Sequence, residues 1–216
     1  MKKVLRSVLT AGAVSALAIT AAQAETQNYD LSGFSIIDAS AGVDVEVTVG
    51  GEYSVRAEGS ADDLERLRLE RRGDALEIGR TRDRSGWFQM GRRWNVTVYV
   101  TMPSMTGVDV SSGADVMASG IDAGRFSASV SSGADAKLSG TCDTIEADGS
   151  SGADLDARDL RCANAVADVS SGADLIVYAS ESVEADASSG GDVSVYGAPK
   201  TTNIDKSSGG GVSIRN

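Results

Sequence analysis

The amino-acid sequence predicts an all-β protein whose C-terminal half is a parallel β-helix, also called a β-solenoid, with rungs of 18–20 residues. Three observations support this fold class. A short motif recurs at nearly constant spacing, apolar and polar residues alternate on both sides of it, and only 5% of the residues are aromatic. Few large side chains suit the slim core of a solenoid better than the thick core of a globular domain.

The recurring motif is Ser-Ser-Gly-Ala-Asp, which becomes Ser-Ser-Gly-Gly-Asp and Ser-Ser-Gly-Gly-Gly in the last two copies. The steps between consecutive copies are 20, 19, 20, 18 and 19 residues. The six copies start at Ser111, Ser131, Ser150, Ser170, Ser188 and Ser207, and a fainter copy starts at Ser40. Because one repeat cannot bury its apolar face alone, we expect repeats to stack about 4.8 Å apart around a continuous core. An antiparallel meander, the alternative, does not need so strict a period.

Each motif contains a corner and is flanked by strands. After the second motif, Ala134, Ala136 and Leu138 alternate with Asp135 and Lys137, which is the period of a strand with one buried face. The glycine of the motif indicates a corner at which the backbone takes a positive φ. A second break in the rungs is predicted near Gly120, Gly140 and Gly197.

The two cysteines of the chain test this alignment of repeats. Cys142 lies eight residues before Ser150, and Cys162 lies eight residues before Ser170, so both occupy the same position on adjacent rungs. The expected rung spacing falls within the Cα separation of about 4.4–6.8 Å that a disulfide spans. We therefore predict a disulfide between Cys142 and Cys162.

Residues 25–107 are less repetitive and are expected to form N-terminal strands and a cap on one end of the solenoid, ahead of the repeats in 108–216. A short helical turn is predicted at 62–66, and the Arg-Arg-Gly-Asp sequence at 71–74 predicts a hairpin. Predicted strands cover Phe34–Asp38, Val43–Val49, Tyr53–Glu58, Leu67–Glu70, Ala75–Ile78 and Trp94–Met102.

The first 24 residues have the features of a signal peptide. Lys2, Lys3 and Arg6 precede a short apolar stretch, and Ala-Gln-Ala at 22–24 fits the small-x-small cleavage pattern. The apolar stretch is shorter than the roughly 20 residues that span a bilayer. We expect cleavage after Ala24, a mature domain at 25–216 without a transmembrane segment, and a location in the periplasm or at the cell surface.

Composition excludes several functions. The chain has 20 basic and 31 acidic residues, and loss of the three basic residues of the signal peptide leaves 17 against 31, a net charge of −14. Such a surface repels nucleic acid and anionic lipid. The chain contains no histidine, the commonest general base and metal ligand.

One stretch differs in chemistry from the acidic repeats. It combines five arginines with both tryptophans of the chain and one of its three phenylalanines, and its candidate contact residues are Arg80, Arg82, Arg84, Trp87, Phe88, Arg92, Arg93 and Trp94. One interpretation is a contact loop for an anionic partner, such as an acidic glycan or a headgroup surface. The other is a long hairpin tip whose aromatic side chains cover the open end of the solenoid, since such arrays require caps.

The repeats also predict two acidic columns on either side of the corner. One contains Asp115, Asp135, Asp154, Asp174 and Asp192, and the other contains Asp109, Asp148, Asp168, Asp186 and Asp205. Stacked like charges repel, so we expect the carboxylates to accept hydrogen bonds from turn amides. The alternative is that the first column binds Ca²⁺, which prefers oxygen ligands. No metal or cofactor is otherwise predicted.

No group of residues predicts catalysis. The carboxylates and serines belong to the repeat, and the serines lack a base, so we predict no catalytic residues and a protein that is not an enzyme. The alternative is a carbohydrate-active β-helix enzyme of the polysaccharide lyase or hydrolase type, because paired carboxylates can cleave glycosidic bonds. Binding of ice through the serine columns is a third interpretation.

The chain resembles the putative auto-transporter adhesin, head GIN domain, family of exported bacterial proteins. The resemblance rests on Phe34, the Gly-Val-Asp-Val sequence at 42–45, the strand that ends at Pro103, the Gly-x-Asp-apolar repeats, and Tyr-Gly-Ala-Pro at 196–199. It implies a right-handed parallel β-helix in the bacterial envelope and an adhesin-like role, without catalytic residues to transfer. We therefore expect a non-catalytic envelope protein that binds an unknown surface ligand, either a glycan or an envelope protein.

Overall fold

The protein is a β-solenoid of about five turns, seen in a computed structural model that describes residues 24–81 and 94–215. Fifteen strands and one short helix occupy the described residues. They are β1 (Glu25–Tyr29), β2 (Ile36–Ala39), β3 (Asp44–Val49), β4 (Ser54–Gly59), α1 (Ala61–Leu64), β5 (Leu67–Arg72), β6 (Ala75–Arg80), β7 (Val96–Met102), β8 (Gly107–Val110), β9 (Asp115–Ser131), β10 (Asp135–Ser150), β11 (Asp154–Val169), β12 (Asp174–Ala187), β13 (Asp192–Tyr196), β14 (Thr201–Lys206) and β15 (Gly211–Ile214).

The predicted rungs are confirmed. The long strands β9 to β12 each begin directly after one corner and end at or just before the next, and they pair in parallel with matching residues opposite one another. One side of the solenoid has the strand order β1-β4-β7-β3-β9-β10-β11-β12-β13-β15. The other side contains β5, β6, β2 and β8, then the later parts of β9 to β12, and then β14.

The corners are tighter than the motif alone predicts. At the first corner both Ser112, with φ 56°, and Gly113, with φ 70°, have positive φ, and the Ala114 amide donates to the Ser111 carbonyl over 3.2 Å. Two consecutive residues of positive φ are the pattern of a type I′ turn. The second serine is in the left-handed region at every motif, namely Ser112, Ser132, Ser151, Ser171, Ser189 and Ser208.

The core is slim, as the composition predicts. Inward-facing positions of the rungs carry mainly alanine, valine and leucine, while the outward-facing positions between them are polar or charged. The largest fully buried side chains are Phe34 and Phe126. Burial of small residues along a continuous column stabilises each rung through its neighbours.

The predicted N-terminal cap is also confirmed. β5 and β6 form an antiparallel hairpin around Gly73, and β1 and β4 pair antiparallel at the outer edge of the other sheet. The predicted helical turn is α1, which is capped by Ser60, whose hydroxyl oxygen accepts a hydrogen bond from the Asp63 amide. The strands β1 and β4, and the hairpin of β5 and β6, therefore lie at the end of the solenoid that is opposite the last repeat.

The disulfide between Cys142 and Cys162 is confirmed. The two cysteines lie opposite one another in the parallel pairing of β10 and β11, with a Cα–Cα distance of 4.5 Å. Ala123 and Ala179 occupy the same position on the rungs before and after. This position therefore holds a small side chain on each of the four rungs, and a covalent bond links only the two middle rungs.

Among residues 24–81 and 94–215, the structure contains no helix with the length and apolar character needed to cross a bilayer. The predicted signal peptide, residues 1–24, lies outside the described residues apart from Ala24, and it stays a prediction.

Candidate functional site

The first acidic column lies directly after the corners, as predicted. We call the outward surface of the sheet formed by β3, the first parts of β9 to β12, and β13 face A. Its acidic ladder contains one more member than the predicted column, because Asp44, at the end of the fainter motif copy, lies opposite Asp115. The ladder contains Asp44, Asp115, Asp135, Asp154, Asp174 and Asp192, each opposite the next.

The second acidic column lies on the opposite sheet. We call the outward surface of β2, β8, the later parts of β9 to β12, and β14 face B. Its ladder starts at Asp38 and is interrupted once, at Ser129. The remaining members are Asp109, Asp148, Asp168, Asp186 and Asp205. The corners therefore run as a serine-bearing ridge between two rows of negative charge.

The expected capping of turn amides by these carboxylates is not observed. In the part of the chain that the structure describes, the amide after each corner donates to a backbone carbonyl of the preceding rung. Examples are Asp135 to the Ala114 carbonyl and Asp154 to the Ala134 carbonyl, both at 3.0 Å. Since the ladder between rungs already uses these amides, the carboxylates are left to solvent. The described residues also contain no group of three or more His, Cys, Asp or Glu residues that could hold a metal ion.

Burial and neighbouring charges raise the pKa of one carboxyl in each ladder, Asp174 on face A and Asp148 on face B. Burial, and then the charges of Asp154 and Asp192, raise the pKa of Asp174 above its ordinary value. The pKa of Asp148 is raised by burial first and then by Asp168 and Glu146. The folded protein therefore holds protons on these carboxyls more tightly than the unfolded chain does.

This shift predicts that mild acid stabilises the fold. Protonation favours the folded state where its pKa exceeds the unfolded value, so stability should rise as pH falls from 7 towards about 4, the ordinary range of aspartate. We expect a higher melting temperature at pH 5 than at pH 7, measured by circular dichroism at low salt.

The control for this prediction is the double variant Asp148→Asn/Asp174→Asn. It should melt higher than the parent at pH 7 and respond less to pH. The pKa of Glu70 is lowered, mainly by its hydrogen bond with Arg68. Glu70 loses its stabilising contribution only when the pH falls below the ordinary pKa range of glutamate. It therefore does not oppose the rise in stability that we expect between pH 7 and pH 5. A steady fall in melting temperature from pH 7 to pH 5 would contradict the prediction.

Face A carries a groove of about 570 Å³ along the axis of the solenoid. One wall is the acidic ladder from Asp115 to Asp174. The opposite rim carries Met117, Lys137, Asp156 and Ile176, one residue from each of four successive rungs. Met117 has 58% of its surface exposed, the largest value among the big apolar residues that the structure describes.

Two tyrosine–arginine pairs lie on face A just beyond this groove. Tyr178 and Tyr196 are opposite one another on β12 and β13. The Arg161 guanidinium lies 4.4 Å from the ring centre of Tyr178, and that of Arg158 lies 5.6 Å from the ring centre of Tyr196. Arg158 is held in place by Asp156, which accepts its Nε–H at 2.9 Å.

A bulge brings these arginines over the rings. Ala157 lies opposite Val177, and Cys162 lies opposite Ala179. The four residues between Ala157 and Cys162 therefore stand against a single residue of β12, Tyr178. The sequence does not predict this group, because aligning the serine pairs does not show where within a rung the extra residues lie. The signal that could have found it is the shortening of the step from 20 to 18 residues at Ser170.

The third feature lies at the end rung. β6 pairs with β2 and β7 pairs with β3, both in parallel, while the corner at 40–43 joins β2 to β3. Arg80 and Trp94, which end β6 and precede β7, therefore flank the position that a corner occupies in the other rungs. Both interpretations of the 80–94 stretch, contact loop and cover, remain predictions.

Arg80 and Trp94 border a cavity of about 560 Å³ beside the serine ridge. The guanidinium of Arg80 lies 5.5 Å from the ring centre of Trp94, whose Nε1–H donates to the Asp63 carbonyl over 3.1 Å. The remaining lining residues that the structure describes are Ser40, Ala41, Gly42 and Ser112. Of the predicted contact residues, Arg82, Arg84, Trp87, Phe88, Arg92 and Arg93 lie outside the described residues.

Comparison with known proteins identifies the family and the fold. The sequence model of the family described as putative auto-transporter adhesin, head GIN domain, matches residues 33–199, which is most of the chain. No curated protein matches the sequence at a significant level.

Two solved structures illustrate the likeness in fold. One is a putative adhesin from Bacteroides fragilis, 15% identical, with a TM-score of 0.71 over 90% of this chain and 98% of that chain. Another is a putative lipid binding protein from Parabacteroides distasonis, 14% identical, with a TM-score of 0.52 over 89% of this chain and 97% of that chain. At these identities the likeness concerns the fold alone.

Proposed function

Because the chain belongs to the putative auto-transporter adhesin, head GIN domain, family, we propose that it is an exported, non-catalytic binding module of the bacterial envelope. Its ligand is an anionic surface glycan, bound at the cavity beside Arg80 and Trp94. The role is adhesin-like in the sense that binding itself is the function, and no bond in the ligand is broken.

The observation that carries this proposal is the cavity at the end rung. It combines a guanidinium, an indole ring and the hydroxyls of the serine ridge, and it lies where the repeat is interrupted. Guanidinium groups bind carboxylates and sulfates through paired hydrogen bonds, and aromatic rings offer apolar contact area with a polar rim. On a strongly acidic protein, a local cationic site also attracts an anionic ligand that other surfaces repel.

The absence of catalysis is supported by the distribution of reactive groups. In the described residues, the carboxylates of both ladders repeat from rung to rung, with one gap at Ser129, and the ridge serines have no histidine to activate them. A catalytic site requires a singular arrangement in which a nucleophile, an acid or a base differs from its copies.

The test is an array of acidic and neutral glycans, probed with the mature protein and with Arg80→Gln. We expect the acidic glycans to be retained and the variant to lose about tenfold in affinity, as for removal of a charged hydrogen-bonding partner. Arg125→Gln is the matched control, because Arg125 is an exposed arginine on the repeats that pairs with Glu146. It should bind like the parent.

Two results would contradict the proposal. One is equal binding by the parent, by Arg80→Gln and by a chain in which residues 82–93 are replaced with a glycine–serine linker. The other is release of reducing sugar from a bound glycan, lost on changing one carboxylate, which would establish the lyase or hydrolase alternative.

A further inference from the structure

We propose that the groove of face A is a second binding site, which docks an extended, basic and amphipathic segment of a separate envelope protein. The groove is independent of the cavity beside Arg80, and its partner has the opposite charge to the proposed glycan ligand. The proposal therefore does not depend on the proposed function.

The shape of the groove suits an extended chain. It crosses four rungs, or about 14 Å at about 4.8 Å per rung. Its volume of about 570 Å³ lies within the range of about 300–1,000 Å³ that is typical of binding clefts. An extended peptide places alternate side chains about 6.8 Å apart. Two or three side chains from one side of such a peptide therefore fit along the acidic wall.

Charge determines that the docked segment is basic. The groove is lined by five carboxylates and one ammonium, that of Lys137, so the lining has a net charge of −4. Asp115, Asp135, Asp154 and Asp174 form no ion pair with another residue that the structure describes. A row of unpaired like charges repels itself, and basic side chains from a partner would relieve that repulsion.

Apolar area determines that the segment is amphipathic. Met117 and Ile176 stand on the rim opposite the acidic wall, and Met117 is more than half exposed. Flexible, polarisable methionine side chains are frequent at surfaces that bind peptides. A metal ion or a simple polycation would leave this rim uncovered, whereas a peptide with apolar side chains on one side would bury it.

The surroundings of the groove favour a protein as the partner. Tyr178 and Tyr196, with Arg161 and Arg158 stacked on them, extend the groove along the same face. Tyrosine and arginine are enriched among the residues that contribute most to protein–protein binding. A segment in the groove would bring the rest of its protein against these two pairs.

Face B provides a matched control within the same chain. Asp148, Asp168 and Asp186 of its ladder stack one rung apart, like the carboxylates of the groove. The column beside them contains Glu146, Val166 and Glu184, so it adds two carboxylates and one exposed valine where the groove has Met117 and Ile176. Neutralising Asp148 and Asp168 thus changes the charge of the protein by the same amount as neutralising Asp135 and Asp154, without altering the groove.

The test measures binding of two labelled synthetic peptides by fluorescence anisotropy. Both have twelve residues, half lysine and half valine, in strict alternation in one and scrambled in the other. We expect the alternating peptide to bind and Asp135→Asn/Asp154→Asn to weaken it about tenfold. Met117→Gln should weaken binding several-fold, while Asp148→Asn/Asp168→Asn should stay within about twofold of the parent.

Three outcomes would overturn the proposal. Equal weakening by the two double variants would indicate attraction to net charge alone. Equal affinity for the scrambled peptide would remove the requirement for an amphipathic segment. Self-association of the protein in sedimentation equilibrium, abolished by Asp135→Asn/Asp154→Asn, would assign the groove to a second copy of this chain. Circular dichroism melting of each variant establishes that the fold is retained.

Discussion

Replacing Gly140 with alanine is expected to lower the free energy of unfolding by about 3–5 kcal/mol, near the upper limit for a single substitution. Gly140 has φ 140° and lies directly opposite Ile121 of the preceding rung. An added Cβ would stand 2.1 Å from the Ile121 carbonyl oxygen and 2.6 Å from its nitrogen. Backbone atoms cannot move aside as a side chain can, so the two rungs would have to separate and lose hydrogen bonds.

Gly133→Ala is the matched control for this prediction. Gly133 also has a positive φ, of 66°, but a Cβ there would meet no atom within 4 Å. Its cost should be limited to the left-handed backbone, about 1–2 kcal/mol. Urea unfolding of both variants with the disulfide intact measures the difference. Similar losses in the two variants would show that contact between rungs is not what requires glycine at position 140.

Removal of the disulfide is expected to lower the free energy of unfolding by about 3 kcal/mol. The bond closes a loop with a sequence separation of 20 residues, and chain entropy predicts about that value for a loop of this length. The variant to measure is Cys142→Ala/Cys162→Ala. Alanine fits because Ala123 and Ala179 already fill the same column on the adjacent rungs.

Reductant separates loss of the bond from loss of packing. Dithiothreitol should destabilise the parent to about the level of Cys142→Ala/Cys162→Ala and should leave that variant unchanged. A parent that unfolds at the same urea concentration with and without dithiothreitol would contradict the prediction, provided that thiol titration confirms full reduction. The reduced protein is expected to stay folded, since parallel backbone pairing still links β10 and β11 to each other and to the adjacent rungs.

The repeats of this chain predict its architecture because every rung obeys the same local rules. Aligning the serine pairs is enough to place Cys142 opposite Cys162, and it places the two acidic ladders on opposite sides of the corner. Alternation of apolar residues then determines which side chains face the core. The disulfide, the two ladders and the core positions can all be predicted from a nearly constant period, which is visible in a single sequence.

Departures from the period could not be predicted in the same way. The sequence indicates glycine as the corner residue, but the structure also places the preceding serine, such as Ser112, in the left-handed region. The left-handed backbone of this serine costs some conformational energy, and it is maintained because the strands on both sides of the turn determine the path of the chain. Aspartate caps turn amides in isolated turns, whereas in this solenoid the adjacent rung provides carbonyls that accept from those amides instead.

The functional surfaces depend on contacts between rungs whose lengths differ. Tyr178 and Arg161 are 17 positions apart, and only the bulge in β11 brings them together. One rim of the groove of face A consists of four residues that share no motif. Met117 and Ile176 look unremarkable in the sequence and become a rim only when their strands are stacked.

The single covalent link between β10 and β11 has a mechanical consequence. In the described residues β15 pairs only with β13 and β14 only with β12, so a force on the C-terminal end would peel strands away one row at a time. Once peeling reached Cys162, the disulfide would pass the force directly to Cys142, so the residues between the two cysteines could not be extended. The disulfide therefore shortens the length of chain that a pulling force can release, by the part of the chain between Cys142 and Cys162.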